Sequence, residues 1–144
     1  MICEGAFPLM ETDEMNYQIL QNAAKSLNDS GKLIFTTLNG LFPLFHSVKD
    51  FLAANKGDGN ATYAKNSFDL MTFRDSNTTS LVDDLGNKKD LECNERYYVP
   101  SEITWLLKSL NFKKTDIYGA TLGAFSRNDR LTTEDFEMLV IAQK

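Results

Sequence analysis

The run from Thr12 to Asn39 constrains this chain more than any other stretch. It spells a helix, a tight turn and a buried strand in succession. Met15, Ile19, Leu20, Ala23, Ala24 and Leu27 recur at helical spacings along one face. Glu14, Gln18, Gln21, Asn22 and Lys25 take the other face, which is the amphipathic pattern of a surface helix. Thr12 or Asp13 caps the first turn, with Asp13 and Glu14 at the positive end of the helix dipole. Asp29-Ser30-Gly31 stops the helix, and Gly31 is expected in the left-handed conformation that glycine adopts at no steric cost. Lys32 to Leu38 is a short apolar, β-branched and aromatic run. It is too short for a second helix and suits a strand covered on both faces. Helix, turn and strand in that order make half of an α/β unit.

The rest of the chain extends that unit. Met1 to Phe7 reads as the end of a strand, so the chain is expected to begin inside a secondary element, with Gly5 and Pro8 turning it out of the sheet. Ligands of open α/β sheets sit beyond the carboxyl ends of strands. Cys3, Glu4, Gly5 and Phe7 are therefore candidate site residues, the alternative being that Cys3 and Phe7 are core. Pro43 opens a second helix with Leu44, Phe45, Val48, Phe51 and Leu52 on its apolar face. His46, the single histidine, sits on its first turn as a candidate catalytic group or a structural one. Asn55 to Asn66 is polar and rich in Gly and Asn, which predicts a loop. Phe68 to Phe73 reads as a strand. Ser80–Asp83 and Lys89–Cys93 flank Asp84-Leu85-Gly86-Asn87, a hairpin turn. Residues Asn55 to Tyr98 are too many for a simple αβ connection and predict an inserted β subdomain. Phe73, Arg74, Arg96, Tyr97 and Tyr98 are its candidate substrate-binding residues; alternatively the aromatics pack and the arginines form surface ion pairs. Pro100 opens a third helix carrying Ile103, Leu106, Leu107 and Leu110 on its buried stripe. Asn111 takes its left-handed cap. Phe112–Gly119 and Phe136–Ala142 are strands expected to pair antiparallel.

Composition narrows the partners. A chain of 144 residues suits one domain and buries about two-thirds of its unfolded surface. The net charge of −5 argues against a broad electrostatic grip on nucleic acid. Cys3 and Cys93 match no metal spacing, so no metal is expected. No run approaches the ~20 apolar residues of a membrane span, and no secretory leader is visible. A cytoplasmic location with reduced thiols is the expectation.

Cys3-Glu4-Gly5-Ala6-Phe7, followed by Leu27-Asn28-Asp29-Ser30-Gly31-Lys32-Leu33-Ile34-Phe35-Thr36-Thr37, resembles the middle of class I S-adenosylmethionine-dependent methyltransferases. In that family a strand end leads through a helix and an "LkpGG-like" turn to the next central strand. Asp29 and Ser30 stand where proline and a first glycine are usual. The resemblance continues at Val99–Phe112, with Asn111 in place of a glycine, and in the final strand. It covers nearly the whole chain as the C-terminal half of such a domain. It implies an α/β fold, Rossmann-like, with parallel strands ending in an antiparallel pair and a lid inserted over residues 55–98 of a single 1–144 unit.

The resemblance also implies S-adenosylmethionine as cofactor, with Cys3, Glu4, Gly5 and Phe7 beside its methionine part, and transfer of a methyl group to a small molecule. Glu4 and His46 are the candidate catalytic residues. Methyl transfer needs positioning more than a catalytic triad, and a base only where the nucleophile must lose a proton. The family's glycine-rich loop and ribose-binding acid have no counterpart in the chain; Gly57-Asp58-Gly59 follows no strand. The isolated chain is therefore expected to be inactive, as a fragment or one half of a split protein. The other reading is a non-catalytic binding or assembly module on the same fold. An unpaired strand edge beside Glu4 would favour a homodimer or a complex with a missing N-terminal half.

Overall fold

The computed structural model describes residues 1–2, 7–54, 62–120 and 124–144, with the side chains of residues 53, 62–66 and 79 set aside. The dominant run folds as a helix α1 over Asp13–Ser26 and a strand β1 over Lys32–Leu38. Thr12 caps the helix, its Oγ1 accepting the Met15 amide at 3.3 Å. Leu20 and Ala24 are buried, whereas Met15 is half exposed and falls off the apolar stripe.

The end of α1 corrects the sequence reading. The helix passes into extended backbone at Leu27, and among the described residues the glycine with positive φ is Gly86, in the hairpin turn. Gly31 is needed for a different reason. A Cβ there would lie 2.9 Å from the Leu27 Cβ and 3.0 Å from the Asn28 carbonyl oxygen. The carbonyls of the last turn are satisfied from the far end of the chain. The Lys144 ammonium donates to Ala24 at 2.7 Å and Leu27 at 3.1 Å, a cation at the negative end of the helix.

The helix expected from Pro43 is split. A 3-10 turn spans Phe42–Leu44, and α2 begins only at Val48 and runs to Ala54. The strand expected at 68–73 is displaced. β2 spans Thr62–Asp69, and the chain then turns because the Asp69 carboxylate accepts the Met71 amide (2.8 Å) and the Thr72 hydroxyl (2.9 Å). Phe73 follows with φ at 53°. β3 spans Arg74–Val82 and β4 Lys88–Arg96. α3 spans Pro100–Ser109, with Asn111 left-handed behind it at φ 65°. β5 and β6 cover Lys114–Ala120 and Glu137–Gln143.

Two three-stranded sheets result, ordered β1-β6-β5 and β2-β3-β4. The last two strands pair antiparallel as expected, Lys114 opposite Gln143 through Ala120 opposite Glu137. The named strands do not form the expected parallel array. β6 inserts between β1 and β5 and runs against both, so every ladder of the first sheet is antiparallel. Parallel pairing among the described residues is confined to two single bridges, Ile2 with Phe35 and Asn39 with Tyr98.

The core lies where α1 and α3 meet the first sheet. Leu20 and Ala24 from α1 and Ile103 and Leu107 from α3 pack with alternate residues Leu33 and Phe35 of β1 and Met138, Val140 and Ala142 of β6. Each fully buried large side chain contributes about 1.5–3 kcal/mol relative to exposure. A second apolar cluster gathers Leu38, Phe42, Val48 and Tyr97 with Phe51, Leu52, Phe68 and Phe136. No helix of the described residues is long and apolar enough to cross a membrane.

Candidate active site

The two sheets meet at the carboxyl ends of β1 and β5, the edge at which ligands of α/β folds bind. Glu137 begins β6 there, opposite Leu38 and Ala120, the last residues of those strands. The segment after β4 joins this edge. Tyr98 donates its amide to Leu38 at 3.1 Å, and Gly40 donates to Tyr98 at 2.9 Å. Gly40 permits the approach, since a Cβ would lie 3.0 Å from the backbone of Tyr98 and Val99.

Neighbouring residues of extended backbone point to opposite sides, and Tyr97 and Tyr98 divide the site in two. Tyr98 stacks on Phe7 with ring centroids 5.1 Å apart and lies under the Arg96 guanidinium at 4.6 Å. Burial first, and then the Asp13 carboxylate, push the Tyr98 phenol up to about 12. Arg96 is buried and fully occupied. It meets Glu102 at 2.6 Å and Asp13 at 3.3 Å, and donates to the Tyr97 carbonyl. Asp13 also receives Arg74 at 2.5 Å, while Arg74 reaches the Met10 carbonyl and Asn94, each at 3.1 Å. Phe73 stands 5.9 Å from the Arg96 guanidinium. Asp13, first residue of α1, and Glu102, in the first turn of α3, thus clamp the second sheet to both helices. An open cleft of about 360 Å³ beside the clamp is lined by Asp13, Arg96, Tyr98, Ser101, Glu102, Trp105 and Leu106.

On the other side, Tyr97 is fully buried, edge-on to Phe68 at 5.5 Å and to Phe136 at 6.0 Å. Its hydroxyl has no hydrogen-bond partner among the described residues. Burial raises its pKa, and the charges of Glu95, Asp75 and Glu137 raise it further. Asp75 and Glu95 are cross-strand partners on β3 and β4, and Phe68 pairs with Asp75 on β2. Burial, then Asp75, then Glu137 push the Glu95 carboxyl up to about 7. The charges of three carboxylates therefore act on one buried phenol, with Asp75 and Glu95 paired directly beside it on the second sheet.

The expected residues fall into separate groups. Phe73, Arg74, Arg96 and Tyr98 come together around Asp13, while Tyr97 belongs to the acidic cluster. His46 lies elsewhere, with its Nε2 3.2 Å from Glu134 and its ring stacked on Phe42 at 4.6 Å. Its cleft, about 470 Å³, is screened from Tyr97 by the contacts of Phe42 and Phe51 with Phe136. Cys3, Glu4 and Gly5 lie outside the described residues. Phe7 is fully buried between Phe35 and Tyr98 and offers no face to a cofactor. Phe7, the one described member of the expected cofactor set, is therefore a core residue.

Asp75, Glu95 and Glu137 were not among the residues expected from sequence. The hairpin held the signal for two of them. A turn centred on Leu85 pairs positions equidistant from it, which sets Asp75 opposite Glu95.

No protein-family model matches this chain, and no curated protein matches its sequence. Solved structures do match it. The CcbJ methyltransferase from Streptomyces caelestis superposes with a TM-score of 0.67 at 9% identity, over 97% of this chain and 57% of its own. An S-adenosylmethionine-dependent methyltransferase from Clostridium acetobutylicum gives 0.66 at 14% identity, over 98% and 55%. At such identities the likeness is one of fold. The chain spans little more than half the length of these structures, and over that span its fold is that of S-adenosylmethionine-dependent methyltransferases.

Proposed function

We propose that this chain is the acceptor-side part of an S-adenosylmethionine-dependent methyltransferase that acts on a small molecule. The observation that carries the reading is the position of the acidic cluster. Glu137 lies at the carboxyl ends of β1 and β5, and Asp75 and Glu95 lie on the second sheet that joins the first there, in a fold shared with methyltransferases. When bound, the cofactor supplies an activated methyl group. This chain's part is to hold and orient the acceptor and to keep water out, which is most of what such a displacement needs. The second sheet, residues 62–96, serves as a lid, held by Arg74 and Arg96 through Asp13 and Glu102. A carboxyl poised near neutrality, as Glu95 is, suits the removal of a proton from the acceptor. Cys3, Glu4 and Gly5 belong to the cofactor edge of this proposal, and residues from an N-terminal half or a second copy would complete it.

Calorimetric titration with S-adenosylmethionine tests the reading, on the chain alone and joined to whatever its gene encodes upstream. Saturable binding in either form supports it. Absence of binding in both forms overturns it in favour of a binding or assembly module.

A further inference from the structure

We infer that the acidic and aromatic cluster around Tyr97 binds a positively charged amine of the methyl acceptor. The inference rests on the methyltransferase reading and adds the chemical class of the substrate to it.

Asp75 faces Glu95 across the β3–β4 ladder, Tyr97 follows two residues after Glu95, and the charges of both carboxylates and of Glu137 act on its phenol. Like charges held together away from water repel one another, and a cation placed among them relieves that repulsion. No Lys, Arg or His of the described residues is paired with Glu95. Asp75 and Glu137 engage other groups as well, so the atoms facing a ligand are the Glu95 carboxyl oxygens and the Tyr97 hydroxyl. That hydroxyl is the second sign of a ligand. It is fully buried without a partner among the described residues, although buried phenols nearly always have one.

The geometry favours an organic cation over a metal ion. Among the described residues, no three Asp, Glu, His or Cys side chains are arranged to hold an ion. The cluster is also walled by aromatic rings. Phe68 and Phe136 stand edge-on to Tyr97, and Phe136 stacks on Phe51 at 4.4 Å. Ring faces attract a cation at little desolvation cost, and a carboxylate gives an ammonium a charge-assisted hydrogen bond. A neutral alcohol of the same shape gains neither, and an anion is repelled.

The test titrates the full chain with phenethylamine, 2-phenylethanol and phenylacetate, followed by calorimetry and by aromatic NMR shifts. The amine should bind at least about tenfold more tightly than the alcohol, with no binding of the acid. Glu95→Gln and Tyr97→Phe, checked for folding by circular dichroism, should each lower amine affinity and leave that for the alcohol unchanged. Equal binding of amine and alcohol, no saturable amine binding, or unchanged amine affinity in both variants would overturn the inference. Competition with S-adenosylmethionine separates it from the parent reading. Displacement of the amine would assign the cluster to the sulfonium and overturn the acceptor assignment. A chain that binds the amine but never S-adenosylmethionine would overturn the parent reading alone.

Discussion

Asp75 and Glu95 face each other directly across the β3–β4 ladder, two carboxyl groups where cross-strand pairs usually attract. The arrangement makes stability depend on pH. Glu95 rises from an ordinary 4.5 to about 7 in the fold, chiefly through burial. Between those values the folded chain holds a proton that the unfolded chain has lost, so stability falls as pH rises through the window. The window covers about 2.5 pH units at roughly 1.4 kcal/mol each, which sets a ceiling of about 3.5 kcal/mol. Glu95→Gln should therefore match wild type near pH 4 and exceed it by about 1–3 kcal/mol at pH 8. Urea melts at both pH values check this. A variant less stable than wild type at pH 8 would contradict the account.

The two arginines of the clamp should differ in cost. Arg96 is buried, and its loss leaves Glu102 and the Tyr97 carbonyl without their donor and Tyr98 without its cation. Arg96→Ala should destabilise by about 2–4 kcal/mol, and Arg96→Lys should restore little, since an ammonium cannot reach three acceptors as a planar fork does. Arg74 pairs with a half-exposed carboxylate, so Arg74→Ala should cost about 1 kcal/mol and less in high salt. Equal losses for the two alanine variants would show that the clamp is read wrongly.

The core was legible where one residue pattern meets one period. Leu20 and Ala24, Ile103 and Leu107, and the apolar run of β1 all fall in it, because burial of a helix stripe depends on local spacing. Phe68 to Phe73 was misplaced because the side chain of Asp69 turns the backbone after it, a local hydrogen bond that overrides strand propensity. The order of the first sheet was not legible, since pairing of β1 with β6 joins residues about a hundred positions apart. The clamp was half legible. Arg74 and Arg96 were visible as charges beside aromatics, but Asp13 looked like an ordinary helix-start acid. Asp75 and Glu137 were not singled out, because their surroundings are set by strands far apart in the chain.

Gly31 distinguishes a steric requirement from a conformational one. Its φ is not in the left-handed region, yet an added Cβ would press on Leu27 and on the Asn28 carbonyl that its own amide binds at 2.9 Å. Gly31→Ala should cost about 1–3 kcal/mol, the usual range for overpacking. Leu27→Ala should recover a part of the loss in the double variant, because it removes one of the three close contacts, the Leu27 Cδ2 at 3.0 Å. Additive losses in thermal melts would argue for backbone strain instead.

The two faces of α3 give the last prediction. Leu107 is fully buried against the first sheet, while Trp105, two residues earlier, is 68% exposed beside the cleft that holds Arg96. Leu107→Ala removes a core side chain that neighbouring elements cannot readily replace, and should cost about 2–5 kcal/mol. Trp105→Ala removes a larger side chain, but one largely in water already, and should cost under about 1 kcal/mol. A Trp105→Ala loss as large as that of Leu107→Ala in urea melts would mean that α3 is rotated on the sheet.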